Sequence, residues 1–405
     1  MTYKATQKTV SRLAIALCAT CCMVGCATQQ AADARPLSDD PIMAERLSNF
    51  PKVRPWPIAW FTPKETVGGA EDQTPLSVRA EPKVDDAAWV AITDWAQRLE
   101  SDTVMVWKDS AIDRVWTRDG FDPDTLLNTY YLNYFALVTL VGAAIEDGFI
   151  EGVDQRIGDF LPEWDDDPRG EIRVEDLLQM SSGLELYKDS IDPAAKSTQL
   201  FFGSRTTEAA ILFDKAWEPG TKFEYNYLVP EILGIVVERA SGKRYADYLS
   251  ERVWKPIGAS DAQLWLDREG GRPHFNAALY ADADDWLRLG ILLAQEGRFG
   301  DRQVVPASWV EAMMTPSPAK ANYGYAWLSA PYEAERRMAD TVNYVVNASE
   351  PIADDRMIIL DGYGGQRVYV SPDDDLVIVR IGLFQKDAWD DSFLPNAVIA
   401  GLSQD

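Results

Sequence analysis

The reactive residues of this chain fall in few places, and that narrows its chemistry at once. All four cysteines lie near the start, Cys18, Cys21, Cys22 and Cys26, so no thiol follows residue 26. The body therefore offers no cysteine nucleophile, disulfide or cysteine metal ligand. The only histidine is His274, within Gly270-Gly271-Arg272-Pro273-His274-Phe275. That rules out a His-rich metal site, and a Ser-His-Asp triad would have to use this one imidazole. Its Gly- and Pro-rich surroundings predict a loop or surface position. One Ser-x-x-Lys pattern occurs, Ser317-Pro318-Ala319-Lys320. Pro318 opposes a regular helix there, so the two side chains are not expected to share a face. Ser181 and Ser182, followed by Gly183, are expected to cap or shape a turn. The runs Asp165-Asp166-Asp167 and Asp373-Asp374-Asp375 have the chemistry to attract Ca²⁺ but read as solvated loops. No metal or organic cofactor is implied.

The elements that must position these groups can be read from periodicity. Asp85 to Leu99 is amphipathic with apolar positions at Ala88, Val90, Ile92, Trp95 and Leu99, predicting a helix. Thr103–Trp107 and Ala111–Trp116 predict a hairpin turning at Lys108-Asp109-Ser110. A long apolar helix is expected from about Leu127 to Asp147, ended by Gly148. Further helices are expected at Val174–Met180, Pro230–Ala240, Tyr245–Val253, Ala283–Glu296 and Ser308–Met314. Strands follow at Met357–Leu360, Gln366–Val370 and Leu376–Ile381, then a helix at about Leu394–Leu402. This order predicts one α/β lobe built from both ends of the chain, with an all-helical lobe between them.

Composition bounds the partners. The 405 residues include 64 Asp and Glu against 39 Lys and Arg, a net charge of −25. Such a surface repels phosphate backbones, so nucleic-acid binding is not expected. Hydrophobic residues at 46% are enough for a large core. At the start, Lys4, Lys8 and Arg12 precede an apolar stretch from Leu13 to Val24, too short to span a bilayer comfortably. Met23-Val24-Gly25-Cys26 follows and resembles the lipobox of bacterial lipoproteins. Residues 1–26 are accordingly expected to be a lipoprotein signal peptide, with Cys26 lipidated and anchoring an exported protein to the cell envelope. An ordinary cleaved secretory signal is the alternative. Residues 27–55, rich in Ala, Asp, Ser and Pro, are expected to be a tether, and 56–405 the folded domain. Its α/β lobe is placed at about 56–120 plus 330–405 and its helical lobe at about 121–329.

Several segments, in their order, resemble one superfamily, the penicillin-recognising serine hydrolases. They include Val141-Gly142-Ala143-Ala144-Ile145-Glu146-Asp147-Gly148, Leu177-Leu178-Gln179-Met180-Ser181-Ser182-Gly183-Leu184 and Pro219-Gly220-Thr221-Lys222-Phe223-Glu224-Tyr225-Asn226. Tyr323-Gly324-Tyr325-Ala326-Trp327 and Gly364-Gly365-Gln366 complete the set. The resemblance runs from about residue 85 onward and is strongest to the esterase and 6-aminohexanoate-dimer hydrolase branch of the class C β-lactamase group. It implies a β-lactamase-like (DD-peptidase-like) α/β fold, an antiparallel sheet flanked by helices plus an all-helical lobe.

The resemblance also implies a Ser-x-x-Lys dyad at the start of the long helix, where the hydroxyl attacks a carbonyl and the Lys one turn on takes its proton. Counting back from Val141-Gly142, the Ser slot falls on Tyr131 and the Lys slot on Tyr134. No serine or lysine lies between Ser110 and Ser181, so no shift of register restores the pair. A free phenol ionises near pH 10, and the cation that could lower that value is itself replaced by Tyr134. Tyr225 matches the tyrosine of the family's Tyr-x-Asn motif, while the third position is Tyr227. Tyr363-Gly364-Gly365 stands where Lys-Thr-Gly is usual, and the next strand would give the Gln366 N–H to an oxyanion hole; a tight turn into a strand explains the glycines equally well. Tyr227, Tyr363, Gly364 and Gly365 are the candidate ligand-binding positions.

These residues lead to an expected degenerate hydrolase that binds an amide, ester, peptide or glycan ligand without cutting it. An active amide or ester hydrolase using Tyr131 or Tyr225 is the first alternative. A scaffold binding an envelope protein partner is the second.

Overall fold

The computed structural model describes residues 35–276, 279–337, 345–382 and 388–402. The expected signal peptide with Cys26, and residues 27–34 of the expected tether, lie outside the described residues.

A six-stranded antiparallel sheet forms the main framework. Its spatial order is Ala111–Thr117, Ser101–Lys108, Leu376–Gly382, Gln366–Ser371, Ile358–Gly362, Trp327–Leu328. The first two strands form the predicted hairpin, with Asp109 and Ser110 at positive φ in its two-residue turn. Pairing of Val106 with Ile378 and of Val379 with Met105 then brings the last long strand beside the first, closing the sheet from both ends of the chain. All seven residues of Leu376–Gly382 and all six of Gln366–Ser371 are buried, so both faces of the sheet are covered. The helix Ala283–Ala294 packs on these two strands. A Cβ at Gly290 would lie 2.5 Å from Val377, which shows why the closest approach carries glycine. Asp86–Arg98 packs on Ser101–Lys108 and pairs with Phe393–Gly401. Asp85 and Asp282 start their helices by accepting from the N–H groups of Ala88 and Asp285.

Between the two halves of the sheet the chain is mostly helical, around the buried helices Asn133–Glu146 and Val229–Ser241, which pack on each other. A second sheet, Lys64–Val67, Ala262–Trp265, Leu279–Ala281 and Leu127–Asn128, borders them, so the stretch expected to be all-helical supplies three of this sheet's strands. The predicted helices and strands beyond residue 85 are present, with one informative difference. The long helix begins at Asn133 rather than near Leu127. Leu127 and Asn128 instead pair with Ala281 and Tyr280, and Tyr130 takes φ +52° before a 3-10 turn over Tyr130–Leu132. A non-glycine residue in that region breaks a helical run.

The segment expected as a tether departs further. Within 27–55 the helix Pro41–Asn49 forms, capped by Asp40, and it docks on the body. Arg46 donates from one side of this helix to the carbonyls of Phe202, Gly203, Thr62 and Leu266. Four backbone acceptors for one guanidinium hold the segment down, which composition alone did not reveal.

Candidate functional site

The 3-10 turn and the first turn of the Asn133 helix place Tyr131 and Tyr134 side by side in the core. Both are buried, and their rings stack with centroids 5.4 Å apart and planes inclined by 30°. The Tyr134 hydroxyl donates to the Leu178 carbonyl at 3.1 Å, while the Tyr131 hydroxyl makes a long contact of 3.4 Å to the Asn226 carbonyl. Tyr225 and Tyr227 close around them, their ring centroids 4.9 and 5.1 Å from that of Tyr131. Tyr225 also stacks on Trp327, and its buried hydroxyl has no hydrogen-bond partner among the described residues. The sequence-assigned positions of nucleophile, base and assisting tyrosine are therefore brought together, and aromatic rings fill the space.

Burial pushes the Tyr131, Tyr134 and Tyr225 phenols well above their ordinary range, and neighbouring tyrosines push Tyr131 and Tyr225 further. Among the described residues, no cation lowers any of the three. A phenolate in this cluster would be desolvated and uncompensated, the reverse of an activated nucleophile.

Gln366 opens the strand beside this turn and is buried. A Cβ at Gly362, its register partner, would meet the Thr129 carbonyl, the Gln366 Cβ and the Leu132 Cγ, so the strand end packs directly on the tyrosine-bearing turn. The Gln366 Oε1 accepts from the Gly382 N–H at 3.0 Å. Gly364 and Gly365, at φ +81° and +82°, form the tight turn into this strand, and their carbonyls accept from Arg380. Tyr363 lies at the rim, its ring 5.5 Å from that of Tyr130 and under the Arg54 guanidinium, which also bonds its hydroxyl.

Around this filled slot runs an aromatic groove that the sequence did not disclose. A cavity of about 340 Å³ is lined by Phe50, Arg54, Trp56, Tyr187, Phe201 and Phe202, among others. Ring contacts connect it to the slot: Tyr187 to Tyr227 at 6.2 Å and on to Tyr131, and Trp56 to Tyr130 at 6.1 Å. Phe50 and Trp56 come from the segment expected to be a tether and its edge, and their aromatic character was the available signal.

Other candidates resolve simply. Ser317 and Lys320 sit in a tight turn. Ser317 is buried and bonds the Gln179 side chain, while Lys320 pairs with Glu333 at 2.5 Å, so this Ser-x-x-Lys forms no dyad. His274, expected in a loop or at the surface, is 1% exposed and stacked 3.7 Å from the Trp265 ring. Burial, helped by Arg46, holds its pKa well below the ordinary value, so the imidazole is neutral. Ser181 and Ser182 bond backbone groups of their own turn, at the Asp176 carbonyl and the Leu184 N–H. Asp167 is occupied by Arg169, and Asp373 by Arg356. Among the described residues, no group of His, Cys, Asp and Glu side chains is arranged to hold a metal.

Beneath the glycine turn lies an ion network. Arg367 bonds Asp361 at 2.5 Å and Asp391 at 2.7 Å, and Arg336 reaches the same two carboxylates at 2.9 and 3.1 Å. Burial raises the Asp391 pKa, but the two cations pull it down further, and it ends below its ordinary value.

An antiparallel sheet closed by both chain ends, a helical region between, and a slot at the head of the central helix define the class of β-lactamase-like serine hydrolases. The Beta-lactamase family profile matches residues 135–400, and the chain belongs to that family. Among curated proteins it is 27% identical over 336 residues to 6-aminohexanoate-dimer hydrolase of Paenarthrobacter ureafaciens, covering 79% of this chain and 82% of the relative. Among solved structures, a putative 6-aminohexanoate-dimer hydrolase from Bacillus anthracis superposes with a TM-score of 0.66 at 18% identity, covering 91% of this chain and 94% of the other. A family VIII carboxylesterase gives 0.60 at 16% identity, over 82% of this chain and all of the other, 100%. The expected fold and family are thus borne out.

Proposed function

We propose that this protein is a degenerate member of the family, an exported lipoprotein that binds an amide, ester, peptide or glycan ligand without cutting it. The observation that carries this reading is the stacked Tyr131–Tyr134 pair in the positions of nucleophile and base, buried beneath Tyr225 and Tyr227. The ligand surface is the aromatic groove in front of it, where Arg54 and Asp189 supply the charges beside Phe50, Trp56 and Phe201. A linear amide with charged ends, the kind of molecule named in the Paenarthrobacter relative, fits such a lining.

The rival, a hydrolase using Tyr131 or Tyr225, is opposed by phenols that burial raises far above their ordinary value, with no cation among the described residues to lower them. The test is hydrolysis of p-nitrophenyl acetate and butyrate by the chain from residue 27, which carries every described element. Turnover is expected only after Tyr131→Ser with Tyr134→Lys. Wild-type turnover that falls at least tenfold in Tyr131→Phe or Tyr225→Phe would establish the rival instead. Titration with the 6-aminohexanoate dimer, read as a change in tryptophan fluorescence that Trp56→Phe should abolish, tests binding directly.

The lipoprotein part of this reading is supported by the basic, apolar and Gly25-Cys26 sequence. Intact mass of the membrane-extracted protein tests it: the mature chain should begin at an acylated Cys26.

A further inference from the structure

A cavity of about 450 Å³ opens between the end of the helix Val229–Ser241 and the turn at 268–272. Its lining is unusual for this chain. Five of its nine residues are cationic, Arg239, Lys243, Arg244, Arg268 and Arg272, against one acid, Glu238. The chain as a whole carries 64 acids to 39 bases.

Each cation is fixed by a carboxylate. Arg239 pairs with Glu163, Lys243 with Glu251, Arg244 with Glu65, Arg268 with Asp267 and Arg272 with Glu238. Of these partners only Glu238 lines the cavity; the other four lie outside its wall. The cations are thus held in place and their charges balanced, while the lining itself presents five cations to one acid. Two glycines complete the mouth. Gly242 and Gly270 have φ of +65° and +62°, and among the described residues a Cβ at either would meet nothing within 4 Å, so the space beside them is open.

The N-terminal segment arrives beside this cavity. Arg205 donates to the Arg35 carbonyl at 2.5 Å, and the Ser204 N–H donates to Asp40 at 2.6 Å. Arg268, a wall of the cavity, donates to the Ser204 carbonyl. From Cys26 to Arg35 the chain can reach at most about 30 Å. If Cys26 is acylated, the body is held within that distance of the bilayer by a point next to this cation-lined recess. A protein of net charge −25 is repelled by an anionic bilayer, and only a locally cationic face can settle within a Debye length of it.

We propose that this cavity seats the phosphate of an anionic phospholipid headgroup and so orients the body on the membrane. The inference rests on the lipoprotein reading for its biological setting, but its test does not require acylation.

The chain from residue 27, which carries no acyl group, is sedimented with vesicles of phosphatidylcholine alone or with one third phosphatidylglycerol. Gly270→Asp and Gly270→Asn are compared; both residues tolerate positive φ, and only the first adds a charge at the mouth without breaking an ion pair. The expected result is partitioning onto the anionic vesicles that is at least tenfold weaker for Gly270→Asp than for Gly270→Asn, with the asparagine variant close to wild type. Lys243→Gln, at the exposed rim, should weaken it in the same direction. Equal partitioning onto both vesicle types, or equal partitioning of the Asp and Asn variants, would overturn the proposal. Displacement by millimolar inorganic phosphate but not by chloride at matched ionic strength would assign the cavity to a free anion and also overturn it. Failure to find acylated Cys26 in the separate mass measurement would remove the anchor while leaving the vesicle result intact.

Discussion

Tyr131 and Tyr134 stack on each other at the head of the central helix, ring centroids 5.4 Å apart. They stand three residues apart in the sequence, and the 3-10 turn running into the helix brings their side chains to the same place. That spacing would present a hydroxyl and an amine to one carbonyl; here it presents two rings to Tyr225, Tyr227 and Phe135. The geometry of a dyad is kept and its chemistry is replaced by packing.

The ring of Tyr131, not its hydroxyl, should therefore hold the cluster. Tyr131→Phe gives up only the long contact to Asn226 and is expected to cost less than about 1 kcal/mol. Tyr131→Ala leaves a buried void and should cost about 3–5 kcal/mol. Urea unfolding of the two variants checks this, and equal losses would show that the hydroxyl is the structural element.

Desolvated phenols also make a spectroscopic prediction. Tyr131, Tyr225, Tyr323 and Tyr369 are all buried, and burial raises each well above the ordinary value. In an alkaline titration followed by phenolate absorbance, these tyrosines should ionise only with unfolding. A buried tyrosine titrating reversibly near neutral pH in the native protein would revive the tyrosyl nucleophile.

The ion network under the glycine turn should be structural. Arg367 is fully buried and bridges Asp361 and Asp391. Arg367→Met would leave Arg336 as the one described cation bridging both carboxylates, with Tyr369 and Trp389 still donating to Asp391, at a cost of about 3–5 kcal/mol. Thermal unfolding measures it, and a loss under about 1 kcal/mol would mean that water reaches the site and compensates.

How far these features could be read from the sequence follows from what each depends on. The hairpin at Asp109-Ser110 and the three C-terminal strands were legible because β-rich runs alternate with turn residues. The Tyr131 and Tyr134 slots were legible through motif order. The strands Lys64–Val67 and Leu279–Ala281 are too short to show a period, and they exist because the pairing partner Ala262–Trp265 lies between them. The helix Pro41–Asn49 and the groove wall at Phe50 and Trp56 were hidden by a Pro- and Asp-rich composition, since long-range bonds from Arg46 order the segment. Burial of Arg367 and Arg380 was hidden for another reason. Charge within a strand reads as a solvent face unless its partners, here from distant segments, are known.

Glu231 carries the last prediction. It lies in the helix Val229–Ser241, 1% exposed, and its carboxyl accepts from the Asn276 N–H at 3.1 Å. Burial pushes its pKa up from 4.5 to about 8, against the opposing pull of the Asn276 and Phe275 backbone groups, with the Asp267 charge adding to the rise. The folded state therefore keeps this proton where the unfolded chain has lost it. Its contribution to stability is complete below about pH 4.5 and is lost as pH rises towards about 8, with a slope of about 1.4 kcal/mol per pH unit between. Asp285, also pushed up to about 8 by burial and Asp282, contributes in the same direction. Denaturant unfolding from pH 5 to pH 8 should accordingly show a negative trend from these two groups. Glu231→Gln, which keeps the shape and carries no charge, should remove one proton's share of that slope and leave the variant relatively more stable at pH 8 than at pH 5. An unchanged slope in Glu231→Gln would mean that the carboxylate is already ionised and solvated in the folded protein, and the helix would then have to open enough to hydrate it.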